Sequence, residues 1–253
     1  MSKIYEGAML STNNFGNIII TKYVNKDTVH VKFLNTGYEV ITQTINIRQR
    51  TIKDRLAPVV LGVGILGDAL STINGKRLKE YELWKNMLKR CYDNTYLAKH
   101  PTYEDCSVSD DFKFYPNFKN WCNNQVGFKS LDDKGKPFQL DKDILVKGNK
   151  IYSEDTCAFV PKEINMLSVK CNRKRGKYNI GVHYRQQDKK FVAKLKVHSK
   201  TTYIGCFDTE TEAFNVYKQA KEAYIKEVAN KWKDKIDIRV YEALINYQVE
   251  ITD

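Results

Sequence analysis

The chain has 253 residues and carries 42 Lys and Arg against 30 Asp and Glu, a formal net charge of +12. At roughly 100–200 residues per domain this length allows one large domain or two to three small ones. A composition of 42% hydrophobic and 28% charged residues argues against wholesale disorder. The longest apolar run, Pro58 to Leu66, holds two glycines and falls well short of the ~18 residues of a membrane span.

Residues 1–70 read as a small β domain, with strands at Asn17–Tyr23, Thr28–Phe33 and Tyr38–Ile47. Asn25-Lys26-Asp27 and Asn35-Thr36-Gly37 supply turn chemistry between them. Val29, Val31 and Phe33 alternate with His30 and Lys32, so one face is buried. Short strands and tight turns predict a curled sheet or SH3-like barrel. The glycines of Gly62-Val-Gly-Ile-Leu-Gly67 are not followed by the Lys-Ser/Thr of a phosphate loop, and the stretch reads as a connector.

Residues 71–169 change character. Leu83, Trp84, Met87, Leu88 and Cys91 lie at helical spacing within Lys79–Tyr92. Phe114, Phe118, Trp121 and Cys122 predict a second, short helix with an aromatic face. The stretches at 139–145 and 152–165 then read as a hairpin leading into a helix whose first turn suits Pro161.

Residues 170–235 alternate clearly. Ile180, Val182 and Tyr184 share one face of a first strand; Phe191, Ala193, Leu195 and Val197 share one face of a second. In a third strand Thr202, Ile204 and Cys206 are expected to oppose Thr201, Tyr203 and Gly205. Thr209 with Glu212 forms a capping box. The stripe Ala213, Val216, Tyr217, Ala220, Ala223 and Tyr224 is expected to cover the apolar face of this sheet. The tail, 236–253, suits a further helix. The fold class is thus α+β and modular.

Charge is concentrated. Between Lys170 and Gly205 there are eleven bases and one acid, Asp188, whereas Tyr96 to Asn165 holds ten bases and eleven acids. A field of one sign in one segment points to an anionic polymer. The predicted sheet leaves His183, Arg185, Lys194, Lys196 and Tyr203 on its open face, and Arg173, Lys174, Arg175 and Lys177 as a basic arm before it. Lysine and arginine stems beside an aromatic ring suit phosphates and base edges, and the ~12 Å major groove of duplex DNA admits a small sheet. Double-stranded DNA is the expected partner, with no membrane.

Gly181-Val-His-Tyr-Arg185, Lys190-Phe-Val-Ala-Lys-Leu195 and Tyr203-Ile-Gly-Cys-Phe-Asp-Thr209, with Glu212, Ala213, Tyr217 and Ala220, resemble an AP2-type DNA-binding domain. The resemblance implies a three-stranded sheet in the major groove backed by one helix. It also maps the family's contacting positions onto His183, Arg185, Lys194, Lys196 and Tyr203. His183, Phe191 and Tyr203 depart from the family's Arg and two Trp, so a target sequence does not carry over.

The middle segment carries a second resemblance. Trp84-x-x-Met87-x-x-Arg90-Cys-Tyr92, His100-Pro-x-Tyr103, Phe118-x-x-Trp121, Leu140-Asp-Lys-Asp-Ile-Leu145, Gly148-Asn149 and Cys157-x-Phe-Val-Pro161 are similar to HNH-type phage proteins, often grouped with homing endonucleases. That resemblance implies a ββα core, the cytoplasm of a bacterial host, and DNA cleavage or nicking with Mg2+ or Mn2+. In this chain Asp141 and Asp143 are the candidate metal ligands, Lys142 a water- or phosphate-orienting group, and Asn149 and Asn165 the motif's asparagines. The family's hairpin histidine is missing, since no His lies between 101 and 182; His100 is the upstream candidate if folding brings it close. A binding protein on a retired nuclease scaffold and an RNA-associated module stand as alternatives. The six cysteines show no C-x-x-C pairing, so neither a disulfide framework nor zinc is expected.

Overall fold

The structure, a computed structural model, describes residues 4–167, 177–198 and 200–251. The chain forms two compact units, Met1–Trp121 and Cys122–Asp253. Helix and sheet are mixed, in agreement with the α+β class.

The first unit opens with an antiparallel sheet whose strands, β1 (Met9–Ser11), β2 (Asn17–Asn25), β3 (Thr28–Phe33) and β4 (Glu39–Thr42), lie in sequential order. Alternation in β3 does what period two requires: Val29, Val31 and Phe33 are fully buried. With Ile18 and Ile20 of β2 and with Ala8, Ile47 and Ile52, they form the core of this sheet. The expected strand Tyr38–Ile47 is corrected here. It ends at Thr42, and Thr44–Arg48 form a short helix, α1. The helical turn carries Ile47 into the core, where 4% of it stays exposed. β1 was not expected, because three residues are too few for alternation to register.

A small hairpin follows, β5 (Thr72–Ile73) and β6 (Lys76–Arg77). Then α2 (Lys79–Tyr92) buries Trp84, Met87, Leu88 and Cys91, as the spacing predicts. The connector at 62–67 approaches this helix closely: a Cβ on Gly64 would lie 2.5 Å from Leu88 Cδ1 and 2.9 Å from the Trp84 ring. That contact, not phosphate binding, accounts for the glycine. Short elements follow: α3 (Asn94–Lys99), a 3-10 turn at Pro101–Tyr103, β7 (Ser107–Val108), α4 (Asp110–Lys113) and α5 (Tyr115–Asn124), within which the first unit ends. Phe112 stands edge-on to Phe118 and Trp121, with ring centroids 5.0 and 4.9 Å away.

In the second unit β8 (Gln139–Asp141) is followed by β9 (Ile151–Tyr152) and β10 (Ala158–Val160), and then by α6 (Lys162–Asn165). β8 and β10 pair antiparallel, Asp141 opposite Ala158 and Gln139 opposite Val160. The expected antiparallel pair and the short helix after it are present, but β9 lies between the two paired strands in sequence and Pro161 is the N-cap rather than part of the first turn. β11 (Val182–Arg185), β12 (Lys190–Val197) and β13 (Lys200–Phe207) form a three-stranded antiparallel sheet in that order.

The helix α7 (Glu210–Trp232) starts at the predicted capping box, Thr209 and Glu212 bonding each other's backbone N–H groups at 3.2 Å. It buries Ala213, Phe214 and Tyr217 near the sheet, and Ile225, Val228, Ala229 and Trp232 further on. Ala223, expected in the stripe, is exposed, and Phe214 takes a core position instead. The distal half of α7 leaves the sheet for residues 122–167: the Trp232 ring stands edge-on to Phe138 at 5.7 Å. Glu163 of α6 accepts from Lys231 Nζ at 2.7 Å and Trp232 Nε1 at 2.8 Å. The tail forms α8 (Ile238–Ile245), capped by Asp237, and buries Val240 and Leu244.

Candidate nucleic-acid interface

Cross-strand register defines the two faces of the C-terminal sheet, because directly opposed residues share a face. One row joins Val182, Ala193 and Gly205; the next joins Tyr184, Phe191 and Phe207. α7 covers this face. A Cβ on Gly181, which has φ of +77°, would lie 2.1 Å from the Tyr217 ring, so the helix rests on bare backbone there.

The opposite face carries His183, Val192 and Cys206 in one row, where Val192 is buried and the other two are half-buried; beyond it Lys194 beside Tyr203 and Lys196 beside Thr201 form the open part of the face. Its make-up corrects the expected parity of β13. Ala193 pairs with Gly205 while Lys194 pairs with Tyr203, which leaves Ile204 as the extra residue of a β-bulge. Tyr203 thus stays with the lysines, but Gly205 moves to the helix face and Cys206 to the open one. The bulge gives no signal in a period-two reading, since each half of the strand alternates normally.

Lys194, Lys196 and Tyr203 are exposed, Tyr203 by 55%. His183 is half-buried and held below the usual imidazole range, first by burial and then by the positive charges of Lys194 and Arg185. Three of the residues named from sequence therefore share one electrostatic environment. Among the described residues Lys194 and Lys196 make no ion pair. Arg185 differs: its guanidinium donates to Asp188, a partner the sequence reading passed over. Lys177 is exposed, with Nζ 5.0 Å from the Tyr178 ring. Arg173, Lys174 and Arg175 lie outside the described residues.

A second cluster surrounds the end of β8. Asp141 is buried, and its Oδ1 accepts from the backbone N–H of Asp143 (2.9 Å) and of Ile144 (2.8 Å). Burial first, and the neighbouring Asp143 carboxylate second, push its carboxyl up to about 6. Lys142, also buried, donates to the Asn149 carbonyl at 3.0 Å and stands 3.4 Å from Asp143 Oδ2. Asn149 braces the loop, donating from Nδ2 to the carbonyls of Lys142 (2.6 Å) and Ile151 (2.7 Å). Asn165 ties α6 to β8 through Gln139 Oε1 at 2.7 Å. Asp141, Lys142, Asp143 and Asn149 are thus together.

His100 belongs to the first unit, where it is exposed and stacked on Tyr96 at 4.3 Å. Cys91, Cys106, Cys122 and Cys157 are buried, and burial pushes the Cys157 thiol up to about 12. Among the described residues no group of three or more His, Cys, Asp and Glu side chains is arranged to hold a metal ion.

No family model, curated protein or solved structure matches the chain. The arrangement of its own side chains is therefore what bears on function. No helix is long and apolar enough to cross a membrane among the described residues.

Proposed function

We propose that this protein binds double-stranded DNA through the open face of the β11–β13 sheet. One observation carries the reading: on the face turned away from α7, Lys194, Lys196 and Tyr203 are exposed side by side, with His183 in the positive field of Lys194 and Arg185. The lysines neutralise phosphates, the tyrosine meets sugar or base, and α7 supplies the rigid backing. The resemblance to AP2-type domains agrees with this use of the sheet. On the same reading β8, β10 and α6 form the ββα element of an HNH-type phage protein, the first sheet is a small SH3-like module, and the protein works in the bacterial cytoplasm. A gel-shift titration with a random-sequence duplex tests it. Lys194→Ala with Lys196→Ala weakens binding and lowers the dependence of log Kd on log salt by about two. Unchanged affinity in that double variant overturns the sheet-face reading, and a preference for RNA in competition favours the RNA-associated module.

The carboxylate pair favours a second reading, a divalent-metal endonuclease. Burial raises the pKa of Asp141 and the nearby Asp143 carboxylate raises it further, a repulsion that a bound cation relieves. Oxygen donors suit Mg2+ or Mn2+, which would stabilise the leaving oxygen of a phosphodiester. Lys142 stands against this fit in part, since its ammonium is already within 3.4 Å of Asp143. Incubating duplex DNA with the protein and Mg2+ or Mn2+ separates the two readings. Cutting that Asp143→Ala removes establishes the endonuclease; a shift without cutting leaves a DNA-binding protein on a nuclease-like scaffold.

A further inference from the structure

The open face is not uniform along its length. Arg185 closes β11 and stands opposite Lys190. Its Nη2 donates to Oδ2 of Asp188, three residues on in the β11–β12 turn, and lies 3.5 Å from Cys206 Sγ. The Nε of the same guanidinium is buried and has no hydrogen-bond partner among the described residues. Lys190 Nζ is in turn 2.7 Å from Asp208. Arg185 and Lys190 are therefore each held by a carboxylate, whereas among the described residues Lys194 and Lys196 are not. Asp188 is also the single acid among the eleven bases between Lys170 and Gly205.

A guanidinium is a planar fork suited to two oxygens of one anion. Here the carboxylate takes Nη2 alone and leaves Nε unanswered, and an unpaired buried donor is unfavourable. The site is half-met, and its present occupant is weakly held because both side chains are about two-fifths exposed, 42% and 41%. We propose that Asp188 is a latch, standing at Arg185 in the place of a DNA phosphodiester and displaced by it on binding. This rests on the reading of the open face as a duplex interface. The exchange sets a threshold: a phosphate placed well enough to engage both Nε and Nη2 displaces Asp188, and a loosely placed one does not.

The test is a thermodynamic cycle on the full chain, with a random-sequence duplex as probe. Asp188→Asn tightens binding about two- to fivefold, the range of an exposed ion pair, and steepens the salt dependence by about one counterion. In an Arg185→Gln background the same substitution has no effect beyond that of Asp110→Asn, which removes one exposed acid from an i,i+3 ion pair with Lys113 in the first unit. An Asp188→Asn effect that equals the Asp110→Asn control, or that persists without Arg185, overturns the latch. If Asp188→Asn lowers the melting temperature, the Arg185 Nε–H resonance of the wild-type protein is followed instead during titration with the same duplex. A shift at saturation supports the exchange, and an unmoved resonance overturns it. Absence of any duplex binding by the wild-type chain at low salt overturns the interface reading and the latch together. Binding that Lys194→Ala with Lys196→Ala weakens, but Asp188→Asn leaves alone, overturns the latch only.

Discussion

Two ionisable side chains in the second unit, His183 and Asp141, have their pKa moved so as to favour the neutral form, and each makes a pH measurement informative. His183 is kept neutral by burial and by Lys194 and Arg185. If duplex DNA binds there as proposed, its phosphates would reverse that field and favour the imidazolium, so binding would take up a proton. Duplex affinity is expected to rise as pH falls through the range between the His183 pKa values of the free and bound protein. His183→Gln flattens that dependence; a profile equal to wild type would detach His183 from the interface. Asp141 has the opposite sign. Its folded pKa, about 6, lies above the ordinary carboxylate value, so the folded state binds more protons between roughly pH 4 and 6. Stability therefore falls as pH rises through that window. Asp141→Asn keeps an oxygen for the N–H groups of Asp143 and Ile144 and removes the charge. The variant should be more stable than wild type at pH 7, by on the order of 1–3 kcal/mol, and less pH-dependent in thermal melts. Mg2+ or Mn2+ that raises the wild-type Tm and leaves the variant unmoved marks a cation at the carboxylates.

The elements that present the open face depend on two local devices. The capping box of α7 answers orphan N–H groups at the helix start, and a missing cap costs about 1 kcal/mol. Thr209→Ala should lower stability by that amount in urea unfolding and leave the slope with denaturant unchanged. Gly181 is a sharper point. Any Cβ there meets the Tyr217 ring in a backbone conformation that side-chain-bearing residues avoid. Gly181→Ala should cost more than the cap and weaken duplex binding with it, because lifting α7 disturbs the sheet that displays Lys194 and Tyr203. Full affinity in a destabilised Gly181→Ala protein would show that α7 is not needed to shape the face.

At the scale of the whole molecule the governing quantity is where the charge lies. Eleven bases between Lys170 and Gly205 give the chain most of its positive field, while the stretch from Tyr96 to Asn165 is close to neutral. With three to four phosphates neutralised, raising salt from 50 to 200 mM should lower duplex affinity roughly 40- to 150-fold. A much flatter response, read from fluorescence anisotropy at several salt concentrations, would mean that the basic segment does not track the DNA backbone.

Periodicity and caps made β3, α2 and the start of α7 legible in advance. Trp84, Met87, Leu88 and Cys91 recur with the helix, Val29, Val31 and Phe33 alternate with the strand, and Thr209 with Glu212 marks the start of α7. Each signal is local, so adjacent residues state it in full. The gathering of cations and Tyr203 on one sheet face followed from the same alternation. The bulge at Ile204, the turn of Thr44–Arg48 that buries Ile47, and the union of Lys142 with the Asn149 carbonyl did not. Those depend on which strand lies opposite, which space in the core is left to fill, and where a loop returns. Composition and alternation thus determined that this chain makes a basic sheet face backed by a helix. Only the tertiary structure decided that Arg185 is held by Asp188 while Lys194 and Lys196 make no ion pair among the described residues, because pairing between charges is settled by distance through space.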